Sequence, residues 1–543
     1  MARSTTGLVL TTLFLKPFAQ STNPTTSPIV TVDNIEYHGL HNATFRTNTY
    51  FNVPFAAPPV GPLRWKAPEP YVAPSDQPSK TISIDATKRG PSCVQGAPVP
   101  FQTEDPASTV IKGSEDCLTL HVFTPDTATP DSKLPVVFHI HGGGYVVGAA
   151  AEDNQEPYAL LQHSGEGTFI YVSVQYRLGA YGFLGGPKYA AMGGAPNLGI
   201  MDQRLGLEWT RKNIAAFGGD PDKVTIMGGS AGGGSVTAQM MWAGGEDAPF
   251  RAALADYPWT QQFLREEQLD RQFEVLLDAT GCSEGGWECL QDVPEEKMKN
   301  ATQATYTTAY WNGDYGYGTF YYGPYVDGEF LRGLPSTEFR AGRFSHVPTM
   351  VNRAGYEGFV VTNFSASYTL EDEKADLRTQ FPYADQALFD ELYKLYPSDS
   401  FNSTPWHRQT WFGDFVINCP THNIAASLAD LNIPVYKHVF NAGTQIHGAV
   451  SELTNTVDYA SRPNANVTLA DVVKDYYASF LLHMDPNAES WSDVEKPVWP
   501  EYRESGGVVM SFNFTEIGGV EDRYFDATER CAFWKENGAV MGN

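Results

Sequence analysis

The sequence has 543 residues but no run of about 18 uninterrupted apolar residues, which is the length that a transmembrane helix needs. Basic residues are scarce: 37 Lys and Arg stand against 63 Asp and Glu, which gives a formal net charge of −26. A chain of this charge with no basic run is repelled by phosphate backbones. The composition therefore predicts no transmembrane segment and no nucleic-acid partner.

The six cysteines contain no C-x2-C pair, which argues against a zinc site, and the sequence has neither internal repeats nor low-complexity tracts. We expect no bound metal. Disorder is excluded as well, because 31 Phe, 28 Tyr and 11 Trp are far too many for a chain that buries no core.

Residues 1–20 have the pattern of a secretory signal peptide. Arg3 supplies the positive charge, residues 7–15 form a short apolar run, and small or polar residues lead to a cleavage point near Ala19 or Gln20. The run is too short to act as a membrane anchor. The even number of cysteines and the N-x-[ST] sequons agree with a secreted, extracellular protein. The glycosylation candidates are Asn42, Asn300, Asn363, Asn402, Asn466 and Asn513.

Strand-like and helix-like segments alternate along the first half of the chain. Such alternation is typical of a mostly parallel sheet that helices cover on both faces. Predicted strands cover residues 118–123, 136–140, 169–176, 223–227, 347–351, 433–440 and 507–514. Predicted helical regions cover residues 201–217, 261–299, 371–396 and 469–482. No linker divides the chain, so we expect residues 21–543 to form a single large α/β domain with helical insertions.

Two glycine-rich motifs each follow a predicted strand. Gly228-Gly229-Ser230-Ala231-Gly232 is a G-x-S-x-G sequence between a strand and a helix, which is the context of a nucleophile elbow. His141-Gly142-Gly143-Gly144 is the kind of motif whose backbone N–H groups face a developing oxyanion. Either motif alone is also consistent with a flexible turn. Both motifs in this order favour a serine hydrolase.

A serine nucleophile needs a base and an acid that orients the base, and behind this kind of elbow the acid precedes the histidine. Spacing alone leaves Glu357, Asp327 and Asp414 open as the acid. His447 is favoured as the base because it lies in a glycine-flanked loop after a strand, whereas His438 lies inside the strand. The histidines after Ser230 are His346, His407, His422, His438, His447 and His483.

The sequence resembles the type-B carboxylesterase/lipase family, the cholinesterase-like branch of the α/β-hydrolases. The resemblance covers nearly all of the chain after the leader. It rests on residues 51–64 (FNVPFAAPPVGPLR), 114–120 (SEDCLTL), 197–204 (NLGIMDQR) and 213–222 (NIAAFGGDPD). It implies the α/β-hydrolase fold, with a central, mostly parallel sheet flanked by helices.

The resemblance also implies roles for individual residues: Ser230 as nucleophile, Glu357 as acid and His447 as base. The oxyanion donors would be the N–H groups of Gly143, Gly144 and Ala231. The implied disulfides are Cys93–Cys117, Cys282–Cys289 and Cys419–Cys531. The first would close a loop of about 25 residues, a closure that stabilises a fold by roughly 3 kcal/mol. The implied activity is hydrolysis of a small-molecule ester through an acyl-enzyme, without a metal or an organic cofactor. The oligomeric state stays open.

Three departures from the family pattern bear on the substrate. Gly229 stands where the family usually has Glu, and residues 255–258 (ADYP) replace the usual Ser-Gly-Ser, which leaves open whether Asp256 substitutes for a lost group near Glu357. Residues 94–116 contain no Trp, and Phe101 is their only aromatic residue. A cation–π site for quaternary ammonium is therefore missing, and choline esters are not expected.

Residues 94–116 also lie where lipases of this family carry a lid. Val99, Phe101, Val110 and Ile111 form a small apolar surface for contact with an oil droplet. A general esterase is therefore favoured, with a triacylglycerol or sterol-ester lipase as the alternative. A non-catalytic binding protein of the same family is disfavoured, because all three candidate triad members are present. The aromatic residues 306–325 either line an acyl pocket or pack in the core.

Overall fold

The computed structural model describes residues 27–73, 81–99, 111–152, 156–165, 167–502 and 506–543. The signal peptide expected at residues 1–20 lies outside these ranges. So do Phe101 and Val110 of the expected lid. No helix within the described ranges is long and apolar enough to cross a membrane.

Within the described ranges, eleven strands form one sheet, in the order β14-β13-β12-β11-β10-β9-β7-β8-β6-β4-β3. Strands β8, β7, β9, β10, β11, β12 and β13 pair in parallel, and the pairings toward both edges are antiparallel. Strands β1, β2 and β5 form a separate small sheet. The strands are β1 Ile29–Val32, β2 Ile35–His38, β3 Leu40–Asn42, β4 Thr47–Pro54, β5 Ile82–Asp85, β6 Thr119–Pro125, β7 Leu134–Ile140, β8 Ile170–Val174, β9 Gly219–Gly229, β10 Ala252–Asp256, β11 Thr349–Ala354, β12 Val435–Phe440, β13 Val508–Phe512 and β14 Ile517–Glu521.

Helices connect the parallel strands and cover the sheet. The helices are α1 Tyr158–His163, α2 Gly179–Gly182, α3 Pro187–Ala191, α4 Leu198–Asn213, α5 Ala231–Met241, α6 Glu266–Thr280, α7 Gly286–Asp292, α8 Glu295–Trp311, α9 Pro335–Arg340, α10 Leu370–Gln380, α11 Gln386–Leu395, α12 Thr404–Gly413, α13 Cys419–Asp430, α14 Ser451–Asn455, α15 Val467–His483, α16 Glu529–Glu536 and α17 Gly538–Met541. The expected α/β class, with a mostly parallel sheet and flanking helices, is confirmed.

The inner strands are buried on both faces, which explains their sequences. β8 (IYVSV), β10 (AALAD) and β12 (VYKHVF) are buried along their whole length. A strand under two helical layers cannot alternate apolar and polar residues, so its sequence is a nearly continuous apolar run. This is the pattern that predicted β7, β8 and β9.

Two of the predicted helical regions consist of several helices, since residues 261–299 contain α6, α7 and the start of α8. Residues 371–396 form two helices, α10 and α11, and not one long helical region. Pro382 follows the end of α10, where its ring disfavours a helical conformation at Phe381. Asp385 then starts α11, because its side chain accepts a hydrogen bond from the Leu388 N–H.

Three disulfides form, with sequence separations of 24, 7 and 112 residues. They are Cys93–Cys117, Cys282–Cys289 and Cys419–Cys531, the pairs that the resemblance implies. The third bridge joins α13 to α16 across a sequence separation of 112 residues. It therefore ties the C-terminal helices to the body of the fold.

A buried cluster of charges ties the C-terminal segment to the sheet. The Lys437 ammonium group on β12 donates to both carboxylate oxygens of Asp522 at 2.8 Å and to Asp526 at 2.6 Å. Arg353 on β11 donates two hydrogen bonds to Asp526, at 3.1 and 2.6 Å. All four side chains are buried. Lys437 lowers the pKa of Asp522 below its ordinary value, against the effect of burial.

We expect Lys437→Met to destabilise the protein by about 3–5 kcal/mol, because it removes the buried cation that pairs with Asp522 and one of the two cations that pair with Asp526. The control is Arg523→Met, since Arg523 is exposed and pairs with Glu521 at the surface. Loss of a surface pair costs about 0–1 kcal/mol. The measurement is urea unfolding of both variants followed by tryptophan fluorescence. Equal losses in the two variants would contradict the importance of the buried cluster.

Candidate active site

The carboxyl ends of five neighbouring strands meet at one edge of the sheet. Gly143 follows β7, Ser230 follows β9, Asp256 ends β10, Glu357 follows β11 and His447 follows β12. These strands are adjacent in the order β7-β9-β10-β11-β12. Residues that are up to about 300 positions apart in the chain are therefore brought together, at the edge where open α/β sheets bind their ligands.

Ser230 lies in the tight turn between β9 and α5. Its backbone has φ 58° and ψ −127°, a conformation that costs a non-glycine residue about 1–3 kcal/mol. Backbone hydrogen bonds hold the turn: the Ser230 N–H donates to the Asp256 carbonyl at 3.1 Å. The Ser230 carbonyl accepts from the N–H groups of Gly234 and Trp259, both at 2.9 Å. The turn leaves the Ser230 side chain half-exposed at the end of the sheet.

Ser230, His447 and Glu357 form one chain of hydrogen bonds. The distance from Ser230 Oγ to His447 Nε2 is 2.8 Å, and the distance from His447 Nδ1 to Glu357 Oε2 is 2.6 Å. Glu357 is buried, and its other carboxylate oxygen accepts from the Ala354 N–H. The acid therefore has one fixed orientation, and the imidazole ring is placed to take the serine proton.

The two other carboxylates that the sequence left open lie away from this chain. Asp414 accepts hydrogen bonds from Tyr396 Oη and Asn418 Nδ2, both at 2.8 Å. Asp327 accepts from the N–H groups of its own turn, at 2.7–3.1 Å, and from Asn197 Nδ2 at 2.6 Å. Both carboxylates therefore stabilise the structure around them through these hydrogen bonds.

The remaining histidines after Ser230 have other partners. His438, inside β12, is buried and lies 3.2 Å from Tyr477 Oη, and burial lowers its pKa to about 3. His407 lies 2.9 Å from Glu373 in the core. Of the other three histidines, His346 contacts the Gly342 carbonyl, His422 contacts Asp522 and His483 contacts Glu489.

The loop after β7 presents backbone N–H groups beside the serine. Gly143 and Gly144 have φ 110° and 62°, which favour glycine, and Ala231 is the first residue of α5. In the described part of the chain, the N–H groups of Gly143, Gly144 and Ala231 donate to no other group. A Cβ atom on Gly142 would lie 3.1 Å from Ser230 Cβ, so the loop lies directly against the elbow. Three unpaired donors beside Ser230 can stabilise an oxyanion there.

A model of the carboxylesterase family matches residues 26–534. The chain belongs to the carboxylesterase family. It is therefore a carboxylic-ester hydrolase, and the family acts on small-molecule esters.

Fungal lipases are among its relatives. Secreted lipase 1 of Botryotinia fuckeliana (strain B05.10) is 29% identical, with 92% of each chain covered. Lipase 5 of Diutina rugosa is 32% identical over 72% of this chain and 73% of the relative. A solved structure, Aspergillus niger EstA, has a TM-score of 0.80 at 24% identity and covers 95% of this chain and 99% of its own. At that identity the solved structure supports the fold alone.

The first disulfide loop of this esterase holds the end of the loop of residues 141–148, which is called the oxyanion loop here after its expected role. Gln95 Nε2 donates to the Gly148 carbonyl at 3.0 Å, and the Gly148 N–H donates to Gln95 Oε1 at 2.7 Å. The Gly96 N–H also donates to the Val146 carbonyl at 2.7 Å. Sequence reasoning missed Gln95. Its position two residues after Cys93 was the only signal.

Aromatic rings pack beside His447. Trp259 contacts Phe320, Phe412 and His447, with ring centroids 5.1, 6.1 and 6.0 Å apart. A Cβ atom on Gly144 would collide with the Phe320 ring, so Phe320 covers the oxyanion loop. The tyrosines of residues 306–325 that pack in the core are Tyr306, Tyr315, Tyr321, Tyr322 and Tyr325. Of this aromatic segment, Phe320 is thus the residue that the contacts place at the site.

Asp256 lies beneath the elbow in a buried polar network. Its carboxylate accepts from Tyr477 Oη at 2.7 Å and from Asn352 Nδ2. Burial raises its pKa to about 7, although both hydrogen bonds act in the opposite direction. Its partners in the described chain do not include Glu357. The network connects β10, β11 and α15, and so supports the floor of the site.

Within the described residues, no group of three or more His, Cys, Asp and Glu side chains is arranged to hold a metal ion.

We expect Asp256→Asn to weaken the pH dependence of stability. The pKa of Asp256 is raised in the folded protein, so unfolding releases a proton between about pH 4 and pH 7. The stability that the neutral carboxyl group contributes is complete below about pH 4 and is lost as the pH rises through about 7. The measurement is the thermal midpoint of both proteins from pH 4.5 to 7.5. Parallel curves would show that Asp256 does not titrate in this way.

Proposed function

We propose that this esterase is a secreted serine hydrolase that works through a Ser230-Glu357-His447 triad and an acyl-enzyme. The observation that carries the proposal is the unbroken hydrogen-bond chain from Ser230 Oγ through His447 to Glu357, at 2.8 and 2.6 Å. A buried acid, a partly exposed base and an elbow serine in this order are the parts that acyl transfer needs.

The reaction has two similar halves. His447 takes the proton of Ser230 while Oγ attacks the ester carbonyl, and Glu357 stabilises the imidazolium ion that forms. The oxyanion accepts hydrogen bonds from the N–H groups of Gly143, Gly144 and Ala231. His447 then gives its proton to the departing alcohol. Water attacks the acyl-enzyme with the same base and the same donors, and regenerates Ser230.

A short or medium acyl group suits the site best. Trp259 is buried against the base, and Phe320 and Phe412 pack on it, so bulky rings occupy the space next to Ser230. The second candidate is a lipase for long-chain esters. The specific observation in its favour is that relatives in two fungi are named lipases.

The first experiment is a burst measurement with p-nitrophenyl butyrate. We expect Ser230→Ala to lower kcat by roughly 10⁴- to 10⁶-fold, because the nucleophile is removed while binding remains. The matched control is Ser235→Ala in α5, the helix that follows Ser230. The Ser235 hydroxyl accepts from Gln203 Nε2 and lies outside the triad. Turnover that survives in Ser230→Ala would refute the assignment of the nucleophile.

A chain-length series separates the two candidates. We expect kcat/KM for p-nitrophenyl butyrate to exceed that for p-nitrophenyl palmitate by about tenfold or more, since each misplaced group in a filled pocket costs about 1–3 kcal/mol. The rate should rise smoothly through the concentration at which the long ester forms an emulsion. A jump at that point, with preference for palmitate, would favour the lipase.

Secretion of this chain is supported by the signal-like residues 1–20, by the three disulfides and by the word "secreted" in the name of one relative. The side chains of the six sequon asparagines are accessible to varying degrees and none is buried. Expression of the full chain in a eukaryotic host should give a product in the medium that starts near residue 20. Its mass should fall on treatment with an N-glycosidase. A cell-retained product that begins at Met1 would contradict this part of the proposal.

A further inference from the structure

We propose that Tyr257 is a positioning residue that holds His447 against Ser230 and fills the space that a side chain at position 229 would need. The inference rests on the proposed function, because it concerns the same triad. Tyr257 contacts all three segments that carry the triad: the base loop, the elbow and the strand that leads to the acid.

The contact with the base is made by the ring. The Tyr257 ring lies edge-to-face with the His447 imidazole, with centroids 5.0 Å apart and planes at 78°. Trp259 contacts the same imidazole at 6.0 Å and 74°. Hydrogen bonds at Nδ1 and Nε2 direct the two nitrogens of His447, but they leave the tilt of its ring to be fixed by packing. Tyr257 and Trp259 supply that packing.

The contact with the elbow explains the small residue at position 229. A Cβ atom on Gly229 would lie 2.7 Å from Tyr257 Cζ and closer still to its hydroxyl oxygen. Tyr257 therefore occupies the volume next to the nucleophile. Residues on either side of Tyr257 hydrogen-bond to the elbow, since the Asp256 carbonyl accepts from the Ser230 N–H and the Trp259 N–H, two residues after Tyr257, donates to the Ser230 carbonyl.

The contact with the acid segment is made by the backbone. The Tyr257 N–H donates to Asn352 Oδ1 at 3.3 Å, and Asn352 lies on β11, five residues before Glu357. Tyr257 also has φ 34°, a left-handed conformation that a bulky residue adopts only under constraint. Such an outlier beside a reacting group points to a functional reason for keeping it.

Gly229 and Tyr257 are thus complementary in size. Position 229 has no side chain, and the Tyr257 ring fills the space that a side chain there would need. Two properties follow. Removal of the Tyr257 ring should loosen His447, and the effect of a methyl group at position 229 should depend on which residue is at position 257. Truncation of a residue that only fills the core would lower stability. It would not lower kcat, and it would not change the effect of Gly229→Ala on kcat.

The experiment compares Tyr257→Ala, Tyr257→Phe, Gly229→Ala and the double variant Gly229→Ala/Tyr257→Ala with p-nitrophenyl butyrate. The control is Tyr37→Ala, which removes a ring that is equally large and buried, in β2 of the small sheet. Each kcat is divided by the fraction of Ser230 that a fluorophosphonate labels at completion, so unfolded protein does not count.

We expect Tyr257→Ala to lower kcat by about 100-fold and to change KM by less than about threefold, because a small displacement of the base is enough for such a loss. Tyr257→Phe should stay within about threefold of the wild type, since the ring remains against His447. Tyr37→Ala should lower the thermal midpoint and leave kcat unchanged. Gly229→Ala should lower kcat by about tenfold or more in the wild type but by less than about twofold in Tyr257→Ala, because residues in contact are not additive.

Three outcomes would overturn the proposal: a normal kcat in Tyr257→Ala, equal losses of kcat in Tyr257→Ala and Tyr37→Ala, or an effect of Gly229→Ala that is the same in both backgrounds. If the wild type shows no turnover that depends on Ser230, the proposed function fails, and this inference fails with it. Wild-type turnover that is lost in Ser230→Ala and kept in Tyr257→Ala would overturn the role of Tyr257 alone.

Discussion

The parallel register of the central strands determines where every group of the site lies. Gly229 on β9 is level with Asp256 on β10, Asp256 is level with Asn352 on β11, and Asn352 is level with His438 on β12. This row of four residues across the sheet therefore lies beneath Ser230, Glu357 and His447. The side chains of this row are also linked, through Tyr477, by buried hydrogen bonds. A shift of one strand by one residue would separate Ser230, Glu357 and His447. The hydrophobic pattern that fixes the register of the strands therefore also maintains the arrangement of these three side chains.

The strained turn at Ser230 depends on this row. A non-glycine residue keeps φ 58° only where its surroundings hold it, and here the neighbouring strand does so through the Asp256 carbonyl. Tyr257, in the adjacent turn, also has a positive φ. Its ring contacts His447, which is hydrogen-bonded to Ser230. Two unfavourable backbone conformations therefore lie side by side, and the sheet beneath them supplies the stability that both require.

The parts of the site that sequence could predict are those that depend on neighbours in the chain. The expected nucleophile elbow and oxyanion loop each contain consecutive glycines after an apolar strand, so local pattern alone predicts residues 228–232 and 141–144. Glu357 and His447 lie 127 and 217 residues beyond Ser230, and no local rule relates the three residues. Spacing therefore leaves Asp327 and Asp414 open as the acid, and the family resemblance is what favours Glu357. The contacts of Tyr257 and Gln95 could not be predicted from the sequence, because they depend on how closely two turns that are distant in the chain approach each other. The division of residues 371–396 into two helices could have been read from Pro382 and the cap at Asp385.

The oxyanion loop has two supports of different kinds. Strand β7 holds its start, and the first disulfide loop holds its end through Gln95 and Gly96, with three hydrogen bonds to residues 146 and 148. A displacement of residues 93–96 is therefore transmitted to the backbone that carries Gly143 and Gly144. In mechanical terms, residues 95–96 and residues 146–148 form one unit, because three hydrogen bonds hold them together.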